Sequence, residues 1–310
     1  MTTVTLSAVR FGVALLCAAC ASPPSSPPAA IDLPPVVMDE LLAADRAFSA
    51  ASATTDLVSG LSAMFAPGVA MPIPGSKFST SSVEAIATLR SNADNAKSRT
   101  DWIPAGGGVS ADGRQGFTWG YMTVRKPDGS VAPLKYLSYW VKRPEGWRVI
   151  AFKRRARPAG PASLSALALS LPAQSVAPST DAALLERYRA SLDRTERAFS
   201  DDSQVVGLGV AFARYGRPDS VNMGGTDDAA FIVGSEAIGM FVSEGKPAEP
   251  STLEWAPDRT IVATSGDLGV TIGLIRQKAP DAGSAAPQVF PFFTVWQRAN
   301  PQEPWRYIAE

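Results

Sequence analysis

An internal duplication constrains this chain more than any other feature of its sequence. Residues 102–120 read WIPAGGGVSADGRQGFTWG and residues 255–273 read WAPDRTIVATSGDLGVTIG, and the two stretches match without a gap at seven of nineteen positions. Chance would give about one match over that length, and self-similarity at a fixed offset is typical of repeated structural units. The sequence therefore predicts that one unit folds twice.

Shorter segments recur in the same order around this stretch. They are DRAFS at 45–49 and ERAFS at 196–200, VEAI at 83–86 and SEAI at 235–238, YWVK at 139–142 and VWQR at 295–298, and WRVIA at 147–151 and WRYIA at 305–309. Two domains follow from this order, at 36–157 and 181–310. The proline-, serine- and alanine-rich residues 158–180 are the expected linker, partly docked through their apolar centre.

Each copy has the pattern of three helices followed by strands. In the first copy an apolar face runs along Val37–Ala51, Asp56 is placed to cap a second helix, and Ser81 with Glu84 has the spacing of a capping box. Runs near 100–111, 115–126, 132–143 and 147–155, separated by glycine-containing turns, indicate an antiparallel meander. The second copy repeats this order, with helices near 181–200, 202–213 and 234–243. The predicted fold class is α+β, with two tandem cone-shaped domains, each of three N-terminal helices packed on a curled antiparallel sheet.

Residues 1–20 have the layout of an export signal. Arg10 is their only charge, an apolar stretch follows, and Cys20 comes after small residues as in a bacterial lipobox, where that cysteine is lipidated. Cys17 stands where a lipobox usually has leucine, so an ordinary secretory signal cut after Ala19 or Ala21 is the alternative. Residues 21–35, rich in proline and serine, would form an extended tether. We expect an exported envelope protein, lipid-anchored through Cys20 at the periplasmic side of a membrane.

These motifs resemble a known superfamily. The LLAADRAFSAAS opening, the DLVSGLSAMFAPG second helix, the EAI third helix and the closing YWVKRPEGWRVI hairpin are similar to nuclear transport factor 2-like (NTF2-like) domains, in particular the SnoaL-like and ketosteroid-isomerase-like bacterial branches. The resemblance covers both copies and implies a cystatin-like cone with an internal cavity. Its motifs define a fold and carry little catalytic information.

The residue types present exclude several classes of function. The chain contains no histidine, which is the commonest general base at neutral pH and the commonest nitrogen ligand of zinc, copper and iron. Histidine-based triads and zinc-protease motifs are excluded, and we expect neither a metal nor another cofactor. The net charge is zero, so no overall basic field would hold nucleic acid.

Two acidic residues are the candidates for acid–base chemistry. Asp45 follows Leu41 and precedes Phe48, and Glu196 has the same spacing from Leu192 and Phe199 in the second copy. On a helix this spacing places each carboxylate beside an apolar stripe. The resemblance implies that this region sometimes supplies an acid or base, with Asp45 as base and Tyr121 or Tyr136 as a donor to a developing oxyanion. The alternative is that each carboxylate only accepts a hydrogen bond from a strand tryptophan or pairs with an arginine.

Aromatic residues of the first copy are the candidates for ligand binding. Strand alternation puts Phe117, Trp119 and Tyr121 on one face of their strand, and Tyr136 and Trp140 on one face of the next. Either face could line a cavity for an apolar ligand, and since the matching strand of the second copy is aliphatic, an aromatic pocket would belong to the first copy alone. Ordinary sheet core is the alternative.

The two copies carry opposite charge. Residues 36–157 contain 16 Lys or Arg and 10 Asp or Glu, whereas residues 158–310 contain 12 and 18. The resemblance implies pairing of domains through their sheet faces, so charges of +6 and −6 suggest a pseudo-dimer within one chain.

The glycine run 106–108 resembles part of a phosphate-binding loop, but no helix follows it, as such a loop requires. Arg259, Thr260 and Ile261 stand at these positions in the second copy, so we expect a bulge or weakened strand peculiar to the first. Gly113, Gly116 and Gly120 recur as Gly266, Gly269 and Gly273 and indicate a turn and close backbone packing.

Together these features favour a non-enzymatic envelope protein that binds a small apolar ligand or a protein partner through tandem cones. The alternative is an isomerase, cyclase or lyase that uses a cavity carboxylate. A third hypothesis makes one or both copies a scaffold.

Overall fold

The computed structural model describes residues 1–3, 32–160, 162, 167–280 and 286–310. Residues 4–20 of the predicted export signal, which include Cys20, and residues 21–31 of the predicted tether lie outside the described residues. Ile31–Glu310 forms one unit by its internal contacts, and it contains both copies of the repeat. Its architecture is α+β, with two tandem cone-shaped domains that each pack three helices against a curled sheet.

The first domain begins with its helices. They are α1 (Pro34–Ser52), α2 (Leu57–Met64) and α3 (Ser82–Ser91). Both expected caps form, because the Asp56 side chain accepts a hydrogen bond from the Ser59 backbone and Ser81 accepts one from the Glu84 backbone. Helix α1 starts two residues before the predicted domain boundary at 36, with a proline in its first turn, where the missing N–H has no cost.

A six-stranded sheet completes the first domain. Its strands and a small side hairpin are β1 (Phe65–Ala70), β2 (Pro72–Ile73), β3 (Lys77–Phe78), β4 (Arg99–Val109), β5 (Gln115–Arg125), β6 (Val131–Arg143), β7 (Gly146–Ala156) and β8 (Ala168–Ser170). The sheet order is β1-β7-β6-β5-β4-β8. The four predicted strands form the expected meander, whereas β1 and β8 pair in parallel at the two edges, so the sheet is not purely antiparallel.

The second domain repeats this plan. Its elements are α4 (Ala182–Val206), α5 (Leu208–Tyr215), β9 (Gly216–Asn222), β10 (Ile232–Val233), α6 (Ser235–Val242), β11 (Leu253–Val262), β12 (Leu268–Gln277), β13 (Val289–Gln297) and β14 (Arg306–Ala309). The predicted helix break near residue 201 is wrong. Neither proline nor glycine interrupts α4 before Gly207, whose φ of +88° ends it, so the second helix begins at Leu208.

Strand register makes the two domains comparable residue by residue. Pro104 pairs with Gly120 and Pro257 pairs with Gly273, and in both domains the register shifts immediately afterwards, at Gly106 and at Arg259. The expectation of a bulge peculiar to the first copy is therefore wrong, because this bulge belongs to the repeat. A Cβ on Gly120 or Gly273 would lie 2.2 Å from a carbonyl oxygen of the neighbouring strand, which explains why both remain glycine.

The glycine run instead pairs with a strand formed by the linker. Gly106, Gly107 and Gly108 pair with Ala168, Leu169 and Ser170 of β8, which adds a parallel strand to the sheet edge. A Cβ on Gly106 would lie 2.6 Å from the Ala168 carbonyl oxygen, and one on Gly108 would lie 2.4 Å from that of Ser170. The linker can dock only because side chains are missing at these positions.

The two sheets contribute to one cluster of buried side chains. Phe117, Leu137 and Ile150 of the first sheet lie in the same cluster as Val270 and Phe293 of the second. Around this cluster the first domain donates hydrogen bonds to carbonyls of the second: Lys135 to Asp228 and Ala230, Lys153 to Phe293, and Arg155 to Gly224. Each ion pair seen in the described ranges joins two residues of the same domain.

Two hairpin turns also exchange hydrogen bonds between the domains. The Asp112 carboxylate accepts hydrogen bonds from Thr264 and from the Ser265 backbone, while Asp267 accepts one from the Ala111 backbone. Both carboxylates are buried. Burial raises the pKa of Asp267, and the charge of Asp112 adds to this shift.

Candidate functional site

Each cone contains a buried carboxylate on its long first helix. In the first domain, Asp45 of α1 is fully buried and accepts hydrogen bonds from the Trp102 indole (2.5 Å) and the Tyr136 hydroxyl (2.8 Å). One turn further along α1, the Ser49 hydroxyl accepts a hydrogen bond from the Trp102 backbone N–H and donates one to its carbonyl. Helix α1 is thereby tied to β4 by polar contacts inside an apolar core.

The second domain repeats this network with a longer side chain. Glu196 of α4 accepts hydrogen bonds from the Trp255 indole (2.6 Å), the Trp296 indole (2.9 Å) and the Thr271 hydroxyl (2.5 Å). Ser200 again accepts from the Trp255 backbone. The recurrence of the network in both domains indicates that its first role is to fix a helix on a sheet.

Burial governs the protonation of both carboxylates. Desolvation raises the pKa of Asp45 above its usual range, opposed by the hydrogen bonds from Trp102 and Tyr136. Desolvation likewise raises the pKa of Glu196 to about 7, opposed mainly by Thr271 and Trp255. Glu196 is therefore able to bind and release a proton near neutral pH.

The structure does not bring the predicted aromatic residues together. Phe117, Trp119 and Tyr121 face the second domain, where the rings of Trp119 and Tyr121 pack on Phe231 at 4.6 Å and 5.7 Å. Tyr136 and Trp140 lie on the opposite face of the sheet, in the core of the first cone. The five residues thus do not line one pocket, and Tyr121 is separated from Asp45 by the sheet; of the three catalytic candidates, only Asp45 and Tyr136 are in contact.

A cavity of about 620 Å³ lies in the cone of the second domain. Its apolar wall includes Phe199, Phe212, Trp255 and Phe292, and the Glu196 network reaches its surface. This volume falls within the range of small-molecule sites, about 300–1,000 Å³. A shallow hollow of about 760 Å³ lies outside, between α5, α6 and the loop that follows α6.

Matched positions explain why the second cone is open. The parallel pairs Ala70–Ala151 and Val221–Ala309 are equivalent, so Met71 corresponds to Asn222, and Phe152 to Glu310. Met71 and Phe152 are buried in the first core. Their counterparts Asn222 and Glu310 line the cavity instead and are joined there by a hydrogen bond, since a buried polar group is costly without a partner.

Glu310 is the centre of a polar patch on the cavity wall. Its carboxylate accepts hydrogen bonds from the Asn222 amide and the Thr294 hydroxyl, each at 3.1 Å. Burial raises the pKa of Glu310, and the nearby Lys153 opposes the shift. Burial lowers the pKa of Lys153 to about 8, opposed by the charge of Glu310.

Sequence reasoning missed Asn222, Thr294, Glu310 and Lys153 as cavity residues. The alignment of the two copies contains a signal for Glu310, because WRVIA at 147–151 is followed by Phe152 whereas WRYIA at 305–309 is followed by Glu310. An acidic residue in one copy at a position where the other copy has a buried apolar residue indicates that the two cores are not filled in the same way. Lys153 has no such signal, because it enters the cavity of the other domain through tertiary packing.

Two further observations concern other kinds of site. Within the described ranges, no group of three or more His, Cys, Asp or Glu side chains is placed to hold a metal ion. No described helix combines the length and apolar character that crossing a membrane would require.

Comparisons with known proteins give matches among solved structures only. No protein-family model matches the chain, and no curated protein does. An NTF2-like protein with a cystatin-like fold from Novosphingobium aromaticivorans is 15% identical, with a TM-score of 0.31, over 40% of this chain and 84% of the other. A protein of unknown function with a cystatin-like fold from Nostoc punctiforme is 17% identical, with a TM-score of 0.32, over 40% and 95%. An NTF2-like protein of unknown function from Burkholderia pseudomallei is 19% identical, with a TM-score of 0.27, over 39% and 89%.

Proposed function

We propose that this protein is an exported, lipid-anchored envelope protein that binds a small apolar ligand in the cone of its second domain. The cavity of about 620 Å³ is the observation that carries the binding role. Aromatic side chains such as Phe212, Trp255 and Phe292 form much of its wall, and a few polar groups are placed to orient a ligand, as in most small-molecule sites. The first domain supports the second as a scaffold.

The export and anchoring parts of the proposal rest on the sequence of residues 1–20. A Cys20→Ala variant expressed in bacteria should lose incorporation of labelled fatty acid and leave the membrane fraction. A matched Cys17→Ala variant should keep both. Labelling that persists in Cys20→Ala would rule out this anchor.

The binding role can be tested by filling the cavity with the larger side chains that stand at the matched positions of the first domain. Asn222→Met together with Glu310→Phe introduces the side chains that close the first cone at the same positions. Native mass spectrometry and calorimetry with a series of small apolar alcohols should show binding to the parent protein and a loss of at least about tenfold in the variant. The same affinity in both proteins would place any binding outside the cone.

A second candidate function is supported by Glu196. A carboxyl group with a pKa of about 7 at the wall of an apolar cavity is suited to move a proton in an isomerase- or lyase-type reaction. Both of its oxygens already accept hydrogen bonds, so proton transfer would require a ligand to displace the Thr271 or a tryptophan contact. Exchange of deuterium into an added ketone, lost in Glu196→Gln, would support this role.

We further propose that the two domains act as an intramolecular pseudo-dimer, paired through their sheets. The shared apolar cluster and the bonds from Lys135 and Arg155 to carbonyls of the second domain support this. Domains produced separately should associate at low ionic strength, since their charges are opposite. Domains that do not associate would contradict the pairing.

A further inference from the structure

The cavity of the second domain is completed by residues of the first. Lys153, Arg154 and Arg155 of β7 and Pro72 of β2 contribute to its wall. The cavity therefore has an apolar body formed by the second domain and a basic side supplied by the first. A ligand of matching chemistry would have an apolar body and one polar end.

Lys153 has unused capacity for a partner on this basic side. Its ammonium group lies 3.2 Å from the Phe293 carbonyl oxygen and 4.8 Å from the centre of the Phe293 ring. An ammonium group has three N–H donors, and the described part of the chain offers Lys153 one hydrogen-bond acceptor and no ion pair. The charge of Glu310 offsets part of the desolvation of Lys153 without a direct ion pair, and a ligand carboxylate in direct contact would offset more of it.

The neighbouring charges favour an anion over a cation. Arg155 also lines the cavity; burial lowers the pKa of Lys153, and the charge of Arg155 adds to this shift. The acidic groups of the wall are already engaged: Glu196 by three donors, Glu244 by Lys246, and Glu310 by Asn222 and Thr294. The unused donors are those of Lys153, whereas each of these carboxylates already has hydrogen-bond donors or an ion-pair partner.

We propose that the second-domain cavity binds an apolar molecule that carries a carboxylate, and that Lys153 of the first domain receives this carboxylate. The proposal rests on the proposed binding function and names its ligand class. Arg155, which lines the cavity and whose charge acts on Lys153, provides a second positive charge near this end. The site thus requires both domains in one chain, since the apolar body and the anionic end of the ligand contact different halves.

Decanoate and 1-decanol are matched probes of this proposal, because they share a ten-carbon chain and differ in the charged end. We expect calorimetry on the full chain at pH 7.5 to give at least about tenfold tighter binding of decanoate, as a hydrogen bond to a charged group typically contributes. Lys153→Met should remove the preference, so that the variant binds decanoate no more tightly than decanol. Lys153→Arg should keep the preference, and Lys126→Met, in an exposed turn, should behave as the parent protein.

The outcomes separate this proposal from the broader one. Equal affinity of the parent protein for both probes overturns the carboxylate proposal and leaves apolar binding in place. A preference for decanoate that persists in Lys153→Met overturns the role of Lys153. Failure of both probes to bind overturns the binding function itself. A circular dichroism spectrum and a urea midpoint of Lys153→Met equal to those of the parent protein are the control for folding.

Discussion

The two domains share a framework and differ in what fills it. Both join the first helix to the sheet through a buried carboxylate, a serine one turn later and a strand tryptophan, at Asp45, Ser49 and Trp102 and at Glu196, Ser200 and Trp255. The first cone closes around apolar side chains, whereas the second keeps a cavity. A duplicated fold can therefore keep its framework in both copies and leave one copy free to change its interior.

Three matched positions account for the difference in the interiors. Tyr136, Phe152 and Met71 of the first cone correspond to Phe292, Glu310 and Asn222 of the second. Because Tyr136 supplies a hydroxyl to Asp45 and Phe292 cannot do so for Glu196, the longer acid reaches Thr271 and Trp296 instead. The two buried carboxylates therefore have different partners in the closed cone and in the cone that holds the cavity.

The largest expected effect comes from a matched pair of truncations. Phe152→Ala removes a fully buried ring from a closed core and should lower the free energy of unfolding by about 3–5 kcal/mol. Glu310→Ala, at the equivalent position beside the cavity, should cost only about 1 kcal/mol, because water can satisfy Asn222 and Thr294. Urea unfolding of both variants measures the difference, and equal losses would show that the second core is as closed as the first.

The next effect is the pH dependence that Glu196 gives to the second domain. Its pKa is raised in the folded state, so its stabilising contribution is complete below the unfolded value near 4.5 and is lost as the pH rises to about 7. The free energy of unfolding should fall by about 3 kcal/mol more over this window in the parent protein than in Glu196→Gln. The exposed Glu303→Gln is the control. Parallel curves for parent and Glu196→Gln would contradict the raised pKa.

The glycine run of the first domain gives a smaller effect. A Cβ at residue 108 would lie 2.4 Å from the Ser170 carbonyl oxygen, so Gly108→Ala should displace β8 and cost about 1–3 kcal/mol. Hydrogen exchange should show lost protection at residues 168–170 while β5 and β6 stay protected. Val262→Ala, on the matching edge strand of the second domain, is the control. Unchanged protection at 168–170 in Gly108→Ala would show that β8 does not need the glycine.

The smallest effect concerns a helix cap that only one domain has. Ser81 caps α3 by accepting from the Glu84 backbone, whereas Gly234 at the start of α6 has no side chain to do so. Ser81→Ala should cost about 1 kcal/mol, measured by thermal unfolding. Ser82→Ala, one residue later, should have little effect, and an equal loss in both would point to helix packing and not to the cap.

Much of the fold was predictable because the repeat tests each assignment twice. The meander strands, the turns at Gly113 and Gly266, and the caps at Asp56 and Ser81 follow from local patterns and agree with the structure. The edge strands β1 and β8 were missed, because such short strands contain too few residues to show a clear alternation of apolar and polar side chains. The length of α4 was missed because Asp201 and Asp202 have the composition of a helix start.

The candidate site was predictable only in part. Spacing placed Asp45 and Glu196 beside an apolar stripe, and the structure shows in both domains the tryptophan hydrogen bond that the sequence offered as an alternative to acid–base chemistry. Alternation separates the two faces of β5 but does not show which face meets the other domain. The predicted cavity residues Trp119 and Tyr121 therefore lie against Phe231 instead. The cavity forms because the second core lacks large apolar side chains that fill the first, and because Lys153 of the first domain reaches its wall. Neither feature can be read from a local sequence pattern.

The docked linker has a consequence for how the chain can be divided. Because Ala168–Ser170 is a strand of the first sheet, the covalent boundary between the domains does not coincide with the end of the β7 hairpin. A cut at residue 158 would leave the edge of β4 without its neighbour and expose the glycines beneath it. The first domain, isolated as an autonomous folding unit, would have to extend at least to Ser170, the thirteenth residue of the segment that the sequence presents as a linker.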